Sequence, residues 1–268
     1  MKKKPTILLV NDDGIDAPGL RALHDALCEI GDLYIVAPAT EQSGMGVAIT
    51  FRHPLHIHEV DYSPKAKAWK VSGTPADCVR LALSVILKFQ PDLLASGINR
   101  GDNSGRNVFC SGTIGGVIEG VFRNIPGVAF SCSNYDAPDY EGAKEYVQKI
   151  AEYILQSFLP TGTFLNVNFP SITPILGVKL ARQGYGFWAE DPLENRHPEG
   201  HPYYWLGAKW QEHNEREESD VSLLKQGFAT VVPLHANEIT DRGFYQERKA
   251  HFDRTFLSEN SIQSPSTS

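Results

Sequence analysis

Short apolar runs alternate with helical patterns along the first two thirds of the chain. Thr6–Val10 is an unbroken apolar run ended by Asn11-Asp12-Asp13-Gly14, the pattern of a strand covered on both faces. From Pro18 to Ile30, Leu20, Leu23, Leu27 and Ile30 recur at helical spacing, with proline in the first turn. Leu33–Ala37 predicts the next strand. Thr74 with Asp77 reads as a capping box opening a helix through Val79, Leu83, Ile86 and Leu87. Leu93–Ile98 predicts a strand, Thr113–Phe122 a helix, Val128–Ser131 a strand and Tyr140–Phe158 a helix. Phe164–Phe169 alternates as a half-buried strand and stops at Pro170.

Strand–helix–strand repetition at this spacing implies right-handed crossovers, hence an α/β fold with a Rossmann-like, mostly parallel sheet and helices on both faces. Ligands in such sheets sit outside the carboxyl ends of the strands. Two stretches break the rhythm. Ile49–Val71 carries short alternating runs and predicts a β-hairpin excursion. Beyond Gly177 the chain becomes aromatic and loop-rich before an apolar run at Phe228–Leu234. The expectation is one domain over about 1–260, with a core over about 6–170 and a C-terminal extension over about 171–260. Ser261–Ser268 is low-complexity and predicts disorder.

Composition narrows the function. Lys+Arg 25 against Asp+Glu 32 gives a net charge of -7, which argues against bulk binding to nucleic-acid polymers or anionic membranes. Cys28, Cys78, Cys110 and Cys132 form no Cys-x-x-Cys pair and read as reduced thiols. Lys2-Lys3-Lys4 precedes an apolar run far shorter than the ~7–15 residues of a signal peptide, and no stretch approaches the ~18 of a membrane span. A cytoplasmic location is therefore expected.

Three loops that follow predicted strands carry unusual polar residues. Asp12 and Asp13, adjacent and directly after a buried strand, concentrate charge that a hard divalent cation would offset; an Asx turn at Gly14 is the alternative. Pro38–Gly46 holds Ser43, which alone reads as a turn residue. Ser96–Gly105 and then Ser111-Gly112-Thr113 at a helix start suit close backbone approach to an anion, phosphate above all. No Lys follows these glycines, so this is not a Walker loop. No Gly-x-Gly-x-x-Gly opens the first helix either, which disfavours a nicotinamide-dependent dehydrogenase. No Gly-x-Ser-x-Gly elbow is present, and the aspartates are adjacent rather than Asp-x-Asp. Converging loops would set a cation beside a phosphate cradle, the layout for metal-assisted phosphoester hydrolysis. The rival reading is a nucleotide-sensing module that binds without turnover.

His56-x-His58 puts two imidazoles on one strand face, but a solvated hairpin is the simpler reading. His197 and His201 read as loop residues, and the run Glu212, Glu215, Glu217, Glu218, Asp220 as a solvated face. Tyr203-Tyr204-Trp205 suits packing or stacking on a base.

Asn11-Asp12-Asp13-Gly14, Ala37-Pro38 with Ser43-Gly44, Gly73-Thr74-Pro75-Ala76-Asp77, Ser96-Gly97-Ile98-Asn99-x-Gly101-x-Asn103-x-Gly105 and Ser111-Gly112-Thr113 occur in the order seen in the survival protein SurE family. The resemblance runs from about Thr6 to about Leu234 and includes Asn166-Val167-Asn168-Phe169-Pro170. It implies a metal-dependent 5′-nucleotidase that converts nucleoside monophosphates to nucleoside and phosphate, with 3′-nucleotides or short polyphosphate as further substrates. It implies one divalent cation per subunit, Mg²⁺ or Mn²⁺, held by Asp12, Asp13, Ser43 and Asn99. Asp12, Asp13 and Asn99 would be catalytic, and Asn103, Ser111, Gly112 and Thr113 would face the phosphate. Water activation and direct attack by an aspartate both fit the pair. The extension would join subunits into a homodimer or homotetramer. Val47 stands where many relatives carry a polar residue or His.

Overall fold

A computed structural model describes residues 4–157 and 159–256, so the predicted tail Ser261–Ser268 and the last helical residue, Phe158, lie outside the described residues. In chain order the elements are β1 (Thr6–Val10), α1 (Pro18–Leu27), β2 (Asp32–Pro38), β3 (Ile57–Ser63), β4 (Ala66–Val71), α2 (Pro75–Leu81), β5 (Leu93–Arg100), α3 (Gly112–Val121), β6 (Gly127–Cys132), α4 (Tyr140–Gln156) and β7 (Thr163–Phe169). Then follow β8 (Val178–Leu180), β9 (Phe187–Ala189), β10 (Leu193–Arg196), β11 (Pro202–Trp205), β12 (Lys209–Gln211), α5 (Asp220–Lys225), β13 (Ala229–His235) and α6 (Arg242–Phe256). A compact unit ends at Ala236; the next, from Asn237, contains α6, which buries none of its residues.

Nine strands form one sheet in the order β3-β4-β2-β1-β5-β6-β7-β13-β8. Pairing is parallel from β4 through β7, and antiparallel at β3–β4 and β7–β13. The apolar runs of the central strands are continuous because those strands are covered on both faces. Ile7 and Leu9 pack with Leu20, Leu23 and Leu27 of α1 and Val147 and Ile154 of α4. Leu8 and Val10 pack on the other face with Val79 of α2 and Ile114, Val117 and Val121 of α3. Each such fully buried aliphatic contributes about 1.5–3 kcal/mol. The capping box is present: the Thr74 hydroxyl accepts from Asp77 N, while Thr74 N donates to the Asp77 carboxylate.

The hairpin predicted over Ile49–Val71 begins only at Ile57, and β4 pairs in parallel with β2, so it lengthens the central sheet. The apolar run at Phe228–Leu234 becomes β13, which inserts beside β7. The acidic run is not uniformly solvated. Asp220 is fully buried and accepts from Gly105 N (3.0 Å), Gly184 N (2.8 Å) and Val221 N (2.8 Å). Glu215 accepts from Tyr185 N and Gly186 N. These carboxylates satisfy loop N–H groups that no strand partner reaches. Asp220→Ala leaves Gly105 N and Gly184 N without acceptors, at about 1–3 kcal/mol each. Urea denaturation should show a loss of about 2–5 kcal/mol, against less than about 0.5 for Ala at exposed Glu217.

Candidate active site

Strand order reverses at β1: the chain moves outward through β2 on one side and β5 on the other. The crevice at their carboxyl ends is the position where doubly wound sheets bind ligands. Three of the predicted loops open into it.

Asp12 and Asp13 emerge from β1. Asp12 is 4% exposed and accepts a 2.6 Å hydrogen bond from the Thr113 hydroxyl. Asp13 is half-buried and accepts from Arg100 N at 3.2 Å. Neither forms an ion pair with a basic side chain among the described residues. Burial pushes the Asp12 carboxyl up to about 7; the Thr113 hydrogen bond opposes this and the charge of Asp13 adds to it. Burial also raises Asp13, opposed by the hydrogen bond from Arg100 N, reinforced by the charge of Glu41 and opposed again by the charge of Arg100.

The β2 loop is fixed against this pair, with Gln42 N donating to Asp12 O at 2.7 Å. Ser43, exposed, donates its hydroxyl to Glu41 Oε1 at 2.8 Å. Val47 is exposed on the same loop. From β5, Asn99 donates Nδ2 to Gly101 O at 2.7 Å, which turns its amide oxygen away from that carbonyl. The β5–β6 register shifts between Ser96 and Asn99, a bulge that re-aims the strand end. Gly97 sits in that bulge at φ +123°, where a Cβ would lie 2.3 Å from Phe130 O, so only glycine fits.

The α3 N-terminus closes the crevice. Ser111 is its cap, accepting from Ile114 N at 3.2 Å, so its hydroxyl serves the helix. Gly112 lies directly against Asp12. Thr113 is fully buried, and Asn103 reaches its hydroxyl at 3.5 Å and Ser131 Oγ at 2.7 Å. Asp12, Asp13, Gly112, Thr113 and Asn103 are thus linked directly or through one partner, whereas Ser43 and Ser111 spend their hydroxyls on Glu41 and the helix cap. Asn166 and Asn168, expected to alternate on a half-buried strand, are fully buried and clamp Asn103 through its carbonyl (2.9 Å) and its N–H (2.8 Å). Polar residues at alternating positions of an otherwise apolar final strand were the available signal for them.

The expected histidine readings hold: His56, just before β3, and His58, on it, are exposed, and His197 and His201 flank a turn. Among the described residues no group of three or more His, Cys, Asp or Glu is placed to hold a metal. Any cation here would draw on hydroxyl and amide oxygens as well as the two aspartates.

Fold and site together define a doubly wound α/β protein with two adjacent carboxylates, one buried and one half-buried, beside a helix N-terminus at the topological switch point. The chain belongs to the survival protein SurE family, whose sequence profile matches residues 7–190. It is 49% identical over 261 residues to "5′-nucleotidase SurE" of Protochlamydia amoebophila, covering 96% of this chain and 100% of that one. The protein of the same name from Christiangramia forsetii is 42% identical, with 87% and 92% covered. The crystal structure of the SurE protein from Aquifex aeolicus superposes with a TM-score of 0.79 at 36% identity, covering 93% of this chain and all of that one.

Proposed function

We propose that this chain is a metal-dependent 5′-nucleotidase, hydrolysing nucleoside 5′-monophosphates with one Mg²⁺ or Mn²⁺ per subunit. The observation that carries the reading is the Asp12–Asp13 pair: two adjacent carboxylates, both raised by burial and ion-paired with no basic side chain among the described residues, with Asp12 against the α3 N-terminus. A divalent cation relieves that electrostatic cost, and the all-oxygen set of Asp12, Asp13, Ser43 and Asn99 suits a hard ion. Bound there, such an ion supplies Lewis acidity toward a phosphoryl oxygen and lowers the pKa of water.

The chain's own groups do the rest. Thr113 orients Asp12 through its hydroxyl. The N-terminal N–H groups of α3 face incoming anionic oxygens, and Asn103, held by Asn166 and Asn168, fixes the wall beside them. Asp12 in its ionised form would be a ligand to the cation. The exposed row Tyr203, Tyr204 and Trp205 on β11 supports the expected pairing of subunits.

Chelated protein given AMP should release phosphate only after Mg²⁺ or Mn²⁺ is restored. AMP binding without phosphate release under every metal would favour the sensing module. A further outcome follows from Asp12. The cation displaces a proton below about pH 7, so the apparent Kd for Mn²⁺ should rise about tenfold per pH unit below that value. A Kd flat from about pH 5 to about pH 8 would contradict the assignment. In chelated protein the sign reverses. Asp12 is more stable buried as the neutral acid, so stability declines as pH rises from about 4 toward 7.

A further inference from the structure

Arg100 ends β5 with its backbone N–H on Asp13, and its guanidinium has no role in the arrangement described so far. The guanidinium lies over the Tyr135 ring, 4.2 Å from the centroid, and Nη2 donates to the Tyr135 hydroxyl at 2.7 Å. An exposed arginine gains little from an ordinary surface ion pair, but a ring and a hydroxyl together hold a planar guanidinium in one place. Gly101, which follows, turns the chain at φ +102°, a conformation that favours glycine.

The placement is unusual in what it leaves unused. Two carboxylates, Asp13 and Glu41, lie near enough for their charges to act on Arg100, yet it forms an ion pair with neither. Of the five donors of a guanidinium, one is spent on the Tyr135 hydroxyl, and no other acceptor is bonded by this side chain among the described residues. A cation stationed beside paired carboxylates, with its remaining donors free, is set for an anion that enters between them.

We infer that Arg100 binds the phosphoryl group of the substrate with two-pronged hydrogen bonds, and that Tyr135 is its positioning residue. The inference rests on the phosphomonoester reading and adds a second anchor to the α3 N-terminus. Because the planar fork matches two phosphate oxygens, lysine should replace it poorly. Contact with the dianion in both ground and transition states changes KM more than kcat.

The test uses the full chain with Mn²⁺ and Arg100→Ala, Arg100→Lys, Tyr135→Ala and Tyr135→Phe. For Arg100→Ala, the KM for AMP and the Kd for inorganic phosphate by calorimetry should rise together by about tenfold or more, with kcat within about threefold. Arg100→Lys should recover only part of this. Tyr135→Ala should shift both constants in the same direction, and Tyr135→Phe, which keeps the ring, should restore most of the loss. The Kd for Mn²⁺ should stay within about twofold in all four. Unchanged KM and phosphate Kd in Arg100→Ala would overturn the inference. So would a rise in the Mn²⁺ Kd as large as that in the phosphate Kd, since Arg100 would then act by supporting Asp13. If the parent protein hydrolyses no phosphomonoester, the functional reading fails, while phosphate binding with and without Arg100 still decides this inference.

Discussion

Asp13→Asn is expected to remove phosphate release from AMP while leaving the fold intact. The side chain keeps its shape, and its oxygen can still accept from Arg100 N, so the β1–β5 contact survives. What is lost is one of two negative charges in a half-buried position. Withdrawing a stabilisation of several kcal/mol from the reacting phosphoryl group corresponds to about 10³-fold or more in kcat/KM. The same substitution removes a like charge beside Asp12, so the Asp12 carboxyl should titrate lower than about 7. Stability should hold or rise slightly, because a buried like-charge contact is gone. Steady-state kinetics, Mn²⁺ titration and thermal melting separate these effects. A variant that retains more than about a tenth of the parent activity would remove Asp13 from the reaction.

Gly112→Ala is expected to split activity from stability in the same way, by geometry instead of charge. A Cβ at Gly112 would lie 2.8 Å from Asp12 Cβ and 3.0 Å from Oδ2, closer than side-chain carbons approach other atoms. Alanine suits helix α3 better than glycine, by up to about 1 kcal/mol, so the helix itself should not suffer. The closest clash is with Asp12 Cβ, which rotation of the side chain cannot move, so the end of β1 and the α3 N-terminus must part and carry the Asp12 carboxylate away from Thr113. A displacement of about 1 Å in a reacting group can cost about 10²-fold. The melting temperature should therefore fall modestly while kcat/KM falls by about that factor. Activity within twofold of the parent would show that Asp12 tolerates the shift.

Much of this arrangement is legible in the chain. The Thr6–Val10 run, the Leu20–Leu27 spacing and the Thr74–Asp77 box locate elements because each is decided by neighbours a few residues away. The pairs Asp12-Asp13 and Gly112-Thr113 stand out because charge or glycine sits where a strand ends or a helix begins. Asn166, Asn168, Asp220 and Arg100 are another matter. Their partners lie 63, 65, 115 and 35 residues away, and no local pattern reports which loop N–H or ring a distant side chain will meet. The insertion of β13 beside β7 is hidden for the same reason: an apolar run announces burial, not its neighbour.

The placement of β13 also sets how small a working version of this protein can be. A fragment ending at Pro170, where the strand–helix repetition stops, would leave β7 as an open edge with its ladder groups unpaired. It would also lack the Asp220 carboxylate that holds Gly105 N. The shortest self-sufficient piece must therefore extend through His235, and the late segment is a structural support of the sheet and of the Gly105 loop as well as an appendage.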